Sequence, residues 1–257
     1  MNILCIGDVV GSRGCAFLRA RLPQFKKYKG VDLVIANGEN SADGNGITPA
    51  SAEYLFKSGV DVITTGNHAF RRRECYPLFD SEETLLRPAN YPEGSTPGRG
   101  LCMVDMGRVQ VCVVNLMGVV YLESLSCPFE TADRLLEGAG EARIRIVDFH
   151  AEATGEKRAL AYYLDGRISA LFGTHTHVPT ADETILPQGT GYISDVGMTG
   201  PIQSVLGIKP ALAIEKMKGK LPVRFEIAEG DCKMDTVLFQ VDDRTGRTLS
   251  VERIQLL

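Results

Sequence analysis

Residues Ile168 to Asp182 read ISALFGTHTHVPTAD, a short apolar run, then Gly173, then two histidines one residue apart. The chain has four histidines in all, so half of them follow this one run. ISALF has the length of a buried strand rather than a helix, and it stops at a glycine loop. The segments NILCIGD, VDLVIANGEN, VDVITTGNH, VQVCVVNLMG and RIRIVDFHAE read the same way. Between the first four strand candidates the text predicts helices over residues 16–28, 49–58 and 72–79. Strand then helix then strand, with connections too long for hairpins, predicts an α/β layered core. Further on, RFEIAEG (224–230) is a candidate strand, and TVLFQVDDRTGRTLSVERIQLL reads as a β-hairpin turning at Asp243 to Gly246. No internal repeat, low-complexity tract or linker interrupts the text, which predicts one domain over residues 1–257.

Composition narrows the partners. The chain of 257 residues is 44% apolar, enough for a sizeable core, and carries 28 basic against 32 acidic residues. A pI near 5.7 gives no electrostatic footprint for extended nucleic acid or an anionic membrane, so a small partner is expected. The opening MNILCIGDVV lacks a basic flank and a small-residue cleavage site, and no apolar run approaches the ~18 residues of a membrane span, so a cytoplasmic protein is expected. Seven cysteines without a CxxC pair fit neither a disulfide framework nor a thiolate zinc site.

In an α/β sheet, ligands collect at the carboxyl ends of strands. Here the predicted strands end in Asp8; in Asn37, Glu39 and Asn40; in Asn67 and His68; in His150; and in His175 and His177. A lone histidine is usually a hydrogen-bonded structural or surface residue, and Gly-Asp is often only a turn. Agreement among five strand ends points instead to one shared site. In extended backbone, residues two apart point to the same side, so His175 and His177 would address one cavity. Imidazole with carboxylate and amide oxygen, and no thiolate, suits iron, manganese, zinc or cobalt. The donors outnumber the needs of one tetrahedral ion, and a pair of ions about 3.5–4 Å apart is a familiar device for phosphoester hydrolysis.

The motifs GDVVG, NGEN, GNH, DFHAEATGEK, GTHTHVPTAD and DVGMTGP, in this order, resemble the YmdB-like branch of the calcineurin-like metallophosphoesterases over nearly the whole chain. The resemblance implies a four-layer α/β/β/α sandwich, a dinuclear centre, phosphodiesterase activity on 2′,3′-cyclic nucleotides, and a homo-oligomer. By the same resemblance, Asp8, Asn40 and His177 would hold the first metal and Asn67, His150 and His175 the second, with Glu39 bridging. His68 would sit beside the metals as the catalytic residue, close to the phosphate and leaving oxygen. One departure stands out: the family usually continues GNH with Thr-Trp-Asp, whereas this chain reads GNHAFRRRE, with Arg71 where the acid is expected. Either the arginine removes support from a charged His68 or Glu74 substitutes. Of Arg71 to Arg73, two read as a solvated face and one is left as a substrate contact.

Other features weigh less. GDVVGSRG is glycine-rich but lacks the GK[ST] ending of a phosphate-binding loop, and its main task is expected to be bending the chain around Asp8. Ser41, Ser51 and Cys75 lack a nucleophile motif, so no covalent intermediate is expected. One of Asp148, Glu152 and Glu156 is expected to accept a hydrogen bond from a ligand imidazole, with Asp182 and Asp195 as similar cases. The expected reaction is attack on phosphorus by a hydroxide held between two ions, iron or manganese first and zinc or cobalt next, with His68 steadying charge or protonating the ribose oxygen. The alternatives are the same site acting on phosphomonoesters or phosphoproteins, and a nucleotide-binding regulatory protein with little turnover.

Overall fold

The computed structural model describes residues 1–140 and 142–257. The chain opens with β1 (Asn2–Ile6), β2 (Asp8–Val9), α1 (Gly11–Lys29), β3 (Leu33–Asn37), α2 (Pro49–Lys57), β4 (Val62–Thr64) and α3 (Tyr76–Ser81). There follow β5 (Leu101–Asp105), β6 (Gln110–Met117), α4 (Pro128–Gly138), β7 (Ile144–His150), α5 (Thr154–Tyr163) and β8 (Ala170–Thr174). Next come β9 (Thr184–Ile185), β10 (Gly191–Ile193), β11 (Met198–Pro201), α6 (Pro210–Gly219), β12 (Cys232–Val241) and β13 (Thr248–Leu256). The result is a mixed α/β fold with two sheets. One runs β2-β11-β12-β1-β3-β4 with β13 added on β12, and the other runs β5-β6-β7-β8-β10-β9. Within them β1, β3 and β4 are mutually parallel, as are β6, β7, β8 and β10.

Strand alternation sorts the apolar side chains into three buried clusters. Ile3 and Cys5 of β1 join Leu33 and Ile35 of β3 in a cluster shared with Val111, Val113, Ile144, Ile146 and Phe172 of the other sheet. Leu4, Ile6, Val34 and Ala36, on the opposite face, pack with Leu18 and Leu22 of α1 and Leu55 of α2. Val114, Leu116, Val147, Phe149 and Leu171 turn the other way, toward Leu136 of α4 and Leu160 of α5. Because both faces of each sheet are covered, the central strands read as continuous apolar runs, the signal that made them legible.

The hairpin turning at Asp243–Gly246 is present as β12 and β13. The predicted helix over 16–28 starts earlier, at Gly11. Gly14 lies so close to β11 that a Cβ there would stand 2.3 Å from the Thr199 carbonyl oxygen, so this glycine serves packing within the helix rather than ending it. The helix predicted over 72–79 is a 3-10 turn at Arg73–Cys75 followed by α3. RFEIAEG is not a strand. Its pairing is one isolated bridge, Ile208 with Ile227, and Arg224, Phe225 and Glu226 are exposed. Helices α4, α5 and α6 and strands β5, β9, β10 and β11 lie outside the predicted elements. Among the described residues no helix is long and apolar enough to cross a membrane.

The topology brings the carboxyl ends of β1, β3, β4, β7 and β8 together across the two sheets. Asp8 begins β2, Glu39 and Asn40 follow β3, Asn67 and His68 follow β4, His150 ends β7, and His175 follows β8.

Candidate metal centre

Eight side chains from these strand ends and the turn after β8 converge. The Glu39 Oε1 atom lies 3.2 Å from His150 Nε2 and 3.2 Å from His68 Nδ1. His150 Nε2 is 2.9 Å from Asn67 Oδ1 and 3.0 Å from His175 Nδ1. On the other side of Glu39, Asn40 Nδ2 is 3.3 Å from each of Glu39 Oε1, Asp8 Oδ1 and His177 Nε2, and His177 Nε2 is 3.5 Å from Asp8 Oδ1. Glu39, His150 and His175 alone form a group able to hold a metal ion.

The donor set fits cations. Ligands at right angles and about 2.1 Å from one ion stand about 3.0 Å apart, the separation found around His150 Nε2. Asp8 and Glu39 are 0% and 1% exposed, and the only ion-pair partners they have among the described residues are histidines. Two buried carboxylates facing imidazoles call for a further positive charge. Burial alone would raise the Glu39 carboxyl, but His150 and His68 hold it well below the ordinary range. Burial alone would depress His150; instead Glu39, Asp8 and Asp148 push it up to about 9, so a proton there supplies the charge that a cation would supply. With the Asn40 amide turned over, Oδ1 would take the place of Nδ2 among the same atoms, the orientation a cation requires.

Three of the imidazoles are fixed from behind. The Asp148 Oδ1 atom accepts from Thr174 Oγ1 at 2.8 Å, which leaves that hydroxyl oxygen to accept from His150 Nδ1 at 2.9 Å. One proton is thereby held on Nδ1, so the proton a cation would displace is the one on Nε2, the nitrogen that faces Glu39 and Asn67. His177 Nδ1 donates to the Leu206 carbonyl at 3.1 Å, and His175 Nε2 lies 2.9 Å from Glu152. Of the three acids flanking His150, Asp148 and Glu152 therefore act on ligand candidates, whereas Glu156 accepts from the backbone of Val119 and Val120. Burial pushes Asp148 up to about 7 despite the hydroxyls of Thr64 and Thr174. Gly66 makes room for the His150 ring, since a Cβ there would stand 2.1 Å from it.

His175 and His177 converge differently from expectation. β8 ends at Thr174, and both histidines have positive φ, 107° and 62°. A left-handed turn aims them, not strand alternation. It is held by His175 N–H on Asp8 Oδ2 at 3.1 Å and by Thr176 N–H on Asp195 Oδ2 at 3.0 Å. Asp195 in turn accepts from Lys157 Nζ at 2.8 Å, and Lys157 also donates to the Thr174 carbonyl. Lys157, Thr174 and Thr64 are supports that sequence reasoning missed, although all three lie within or beside the motifs DFHAEATGEK, GTHTHVPTAD and GNH. Asn37, one of the strand-end candidates, stands behind the site, its Nδ2 3.2 Å from Asp148 and its Oδ1 accepting from Glu39 N–H.

His68 lies beside the donors and lines a cavity of about 420 Å³ together with Glu39, Asn40, His175 and His177. Its acid contact is Glu39, so neither an acid at position 71 nor Glu74 is what faces the ring. Arg71 and Arg73 are exposed, and Arg72 is spent on the carbonyls of Asp43 and Asn45. The first two amide groups of α1 are taken, Gly11 N–H by the Asn40 carbonyl and Ser12 N–H by Asp43, so the glycine-rich turn serves the chain around Asp8.

A family model described as YmdB-like protein matches residues 4–254. The 2′,3′-cyclic-nucleotide 2′-phosphodiesterase of Bacillus subtilis (strain 168) is 47% identical over 256 residues, 99% of this chain and 96% of that protein. The crystal structure of a hypothetical protein from Thermus thermophilus has a TM-score of 0.94 at 41% identity, covering 100% of this chain and 99% of that one. A Mycoplasma pneumoniae structure described as a novel phosphatase also has a TM-score of 0.94, at 33% identity, covering 100% of this chain and 93% of its own.

Proposed function

The chain belongs to the YmdB-like protein family, and on that premise we propose that it is a metal-dependent phosphodiesterase of small phosphoesters, 2′,3′-cyclic nucleotides first among them. The observation that carries this reading is the set of donor atoms around Glu39, spaced as cation ligands and opening on a cavity. In this reading Asp8, Asn40 and His177 hold one ion, Asn67, His150 and His175 hold a second, and Glu39 serves both. Iron or manganese suits these donors first, and zinc and cobalt are compatible. Such ions neutralise phosphoryl oxygens and make water acidic enough to attack phosphorus near neutral pH.

The chain's own residues do the remainder. Thr174 and Leu206 hold protons on the Nδ1 atoms of His150 and His177, leaving the Nε2 lone pairs free. His68 has its Nδ1 against Asn40 and Glu39, and its Nε2 is the atom that donates to the departing 2′ oxygen, leaving a nucleoside 3′-phosphate. The three apolar clusters support a four-layer α/β/β/α arrangement. The same proposal takes residues 1–257 as one domain of a cytoplasmic homo-oligomer.

Protein purified without chelator is expected to carry about two transition-metal ions per chain and to convert 2′,3′-cyclic AMP to 3′-AMP faster than it cleaves phosphomonoesters. Full activity in metal-free protein overturns the metal reading. Preference for monoesters or phosphoproteins moves the substrate class, and tight nucleotide binding without turnover makes the chain a regulatory binder.

A further inference from the structure

The cavity has two walls of opposite chemistry. Glu39, Asn40, His68, His175 and His177 form one; the apolar side chains of Val10, Leu206, Ile208, Phe225 and Ile227 line the other. A cyclic phosphate and a ribose offer nothing apolar for the second wall to meet. Phe225 and Leu206 nevertheless remain 43% and 45% exposed there, two large apolar groups left half in water beside a charged centre. Resting on the reading above, we infer that this wall is the seat of the substrate's nucleobase, with Phe225 as the stacking face and Leu206, Ile208 and Ile227 as its apolar border.

The wall is built in register with the metal-ligand candidates. Val205 and Ile208 exchange backbone hydrogen bonds at 2.9 and 3.0 Å, closing a tight turn with Leu206 and Gly207 at its tip. Both have positive φ, 53° and 94°, a conformation that costs leucine and is retained here where its carbonyl receives His177 Nδ1. The other end of the wall is pinned to this turn. Ala228 N–H donates to the Gly207 carbonyl at 2.8 Å and Lys209 N–H to the Glu226 carbonyl at 3.0 Å, which sets Ile227 against Ile208. Phe225 is thus carried on the same framework that orients His177, at a fixed offset from where phosphate would bind.

A phenyl ring has a π-face and no hydrogen-bonding edge, so it stacks on any base without reading its Watson–Crick pattern. The chain is therefore expected to accept all four 2′,3′-cyclic nucleotides within about tenfold in kcat/KM, purines ahead through their larger face. The decisive comparison uses methyl riboside 2,3-cyclic phosphate, which keeps the reacting ester and lacks the base. In the parent chain, 2′,3′-cyclic AMP should exceed this analogue at least tenfold in kcat/KM. Phe225→Ala should shrink that ratio by about tenfold, chiefly through KM for the nucleotide. Phe225→Trp should preserve the ratio and place the only tryptophan of the chain at the wall, so that 3′-AMP quenches its fluorescence and ribose 3-phosphate does not. If both cyclic phosphates are cleaved but the ratio ignores Phe225→Ala, or the tryptophan is blind to 3′-AMP, the base seat is wrong while the phosphodiesterase reading stands. Cleavage of neither cyclic phosphate overturns the substrate reading itself, and the base seat with it.

Discussion

Two imidazoles face the same Glu39 oxygen at 3.2 Å, His68 through Nδ1 and His150 through Nε2, yet their surroundings give them different work. His150 is fully buried and held from behind by Thr174, whereas His68 is partly exposed and borders the cavity. His150→Ala is therefore expected to lower metal content, and His68→Ala to preserve it while slowing turnover of a cyclic nucleotide by about 10²–10⁴. A nitrophenyl ester, whose phenolate leaves without a proton, should lose far less. Elemental analysis alongside both rates checks this, and a fall in metal content for His68→Ala would make that ring a ligand. Glu39→Gln should impair metal retention at both places at once, since its carboxylate is expected to serve both. These side chains were legible in the text because strand ends carry their chemistry locally. The aim of His175 and His177 was not, because the turn with their positive φ angles is held by backbone N–H groups donating to the carboxylates of Asp8 and Asp195, residues distant in sequence.

At the scale of elements, α5 is tied to the turn after β8 by the Lys157 ammonium, which is 1% exposed and bridges Asp195 and the Thr174 carbonyl. Lys157→Met leaves a buried carboxylate without its counter-charge, which costs about 3–5 kcal/mol and lowers the unfolding temperature by on the order of 10 °C. Adding Asp195→Asn should recover part of the loss, because the unpaired charge is then gone. Calorimetry of the single and double variants measures the coupling, and an unchanged melting temperature for Lys157→Met would mean that the pair does not secure this turn. The helix itself was readable in principle: TGEKRALAYY is rich in strong helix formers. RFEIAEG shows the reverse, β-prone text whose strand-type pairing is a single isolated bridge.

For the whole molecule, the buried thiols report on all three apolar clusters at once. Cys15 and Cys75 lie in the cluster under α1 and α2, Cys102 among the residues between the sheets, and Cys112 against α4 and α5. Burial, before any neighbouring charge, pushes Cys15, Cys75 and Cys102 up to about 12 and Cys112 up to about 11. In the unfolded chain the same thiols titrate near 8.5. Below that pH both states hold these protons, and the thiols contribute no pH dependence. Above it the unfolded chain releases protons that the folded chain keeps, so the native state binds more protons and stability falls as pH rises. Each shielded thiol adds a slope of about −1.4 kcal/mol per pH unit, fully developed between the two pKa values. Urea unfolding under reducing conditions should therefore show little thiol-linked change from about pH 6 to 8 and a steep decline from about pH 8.5 to 9.5. Cys102→Ala lowers the whole curve through its cavity, but its decline above pH 8.5 should be shallower than the parent's by about one thiol's slope. Parallel curves for parent and variant would show that the thiol between the sheets is open to hydroxide, and that the contact between the two sheets is looser than the burial of Cys102 requires.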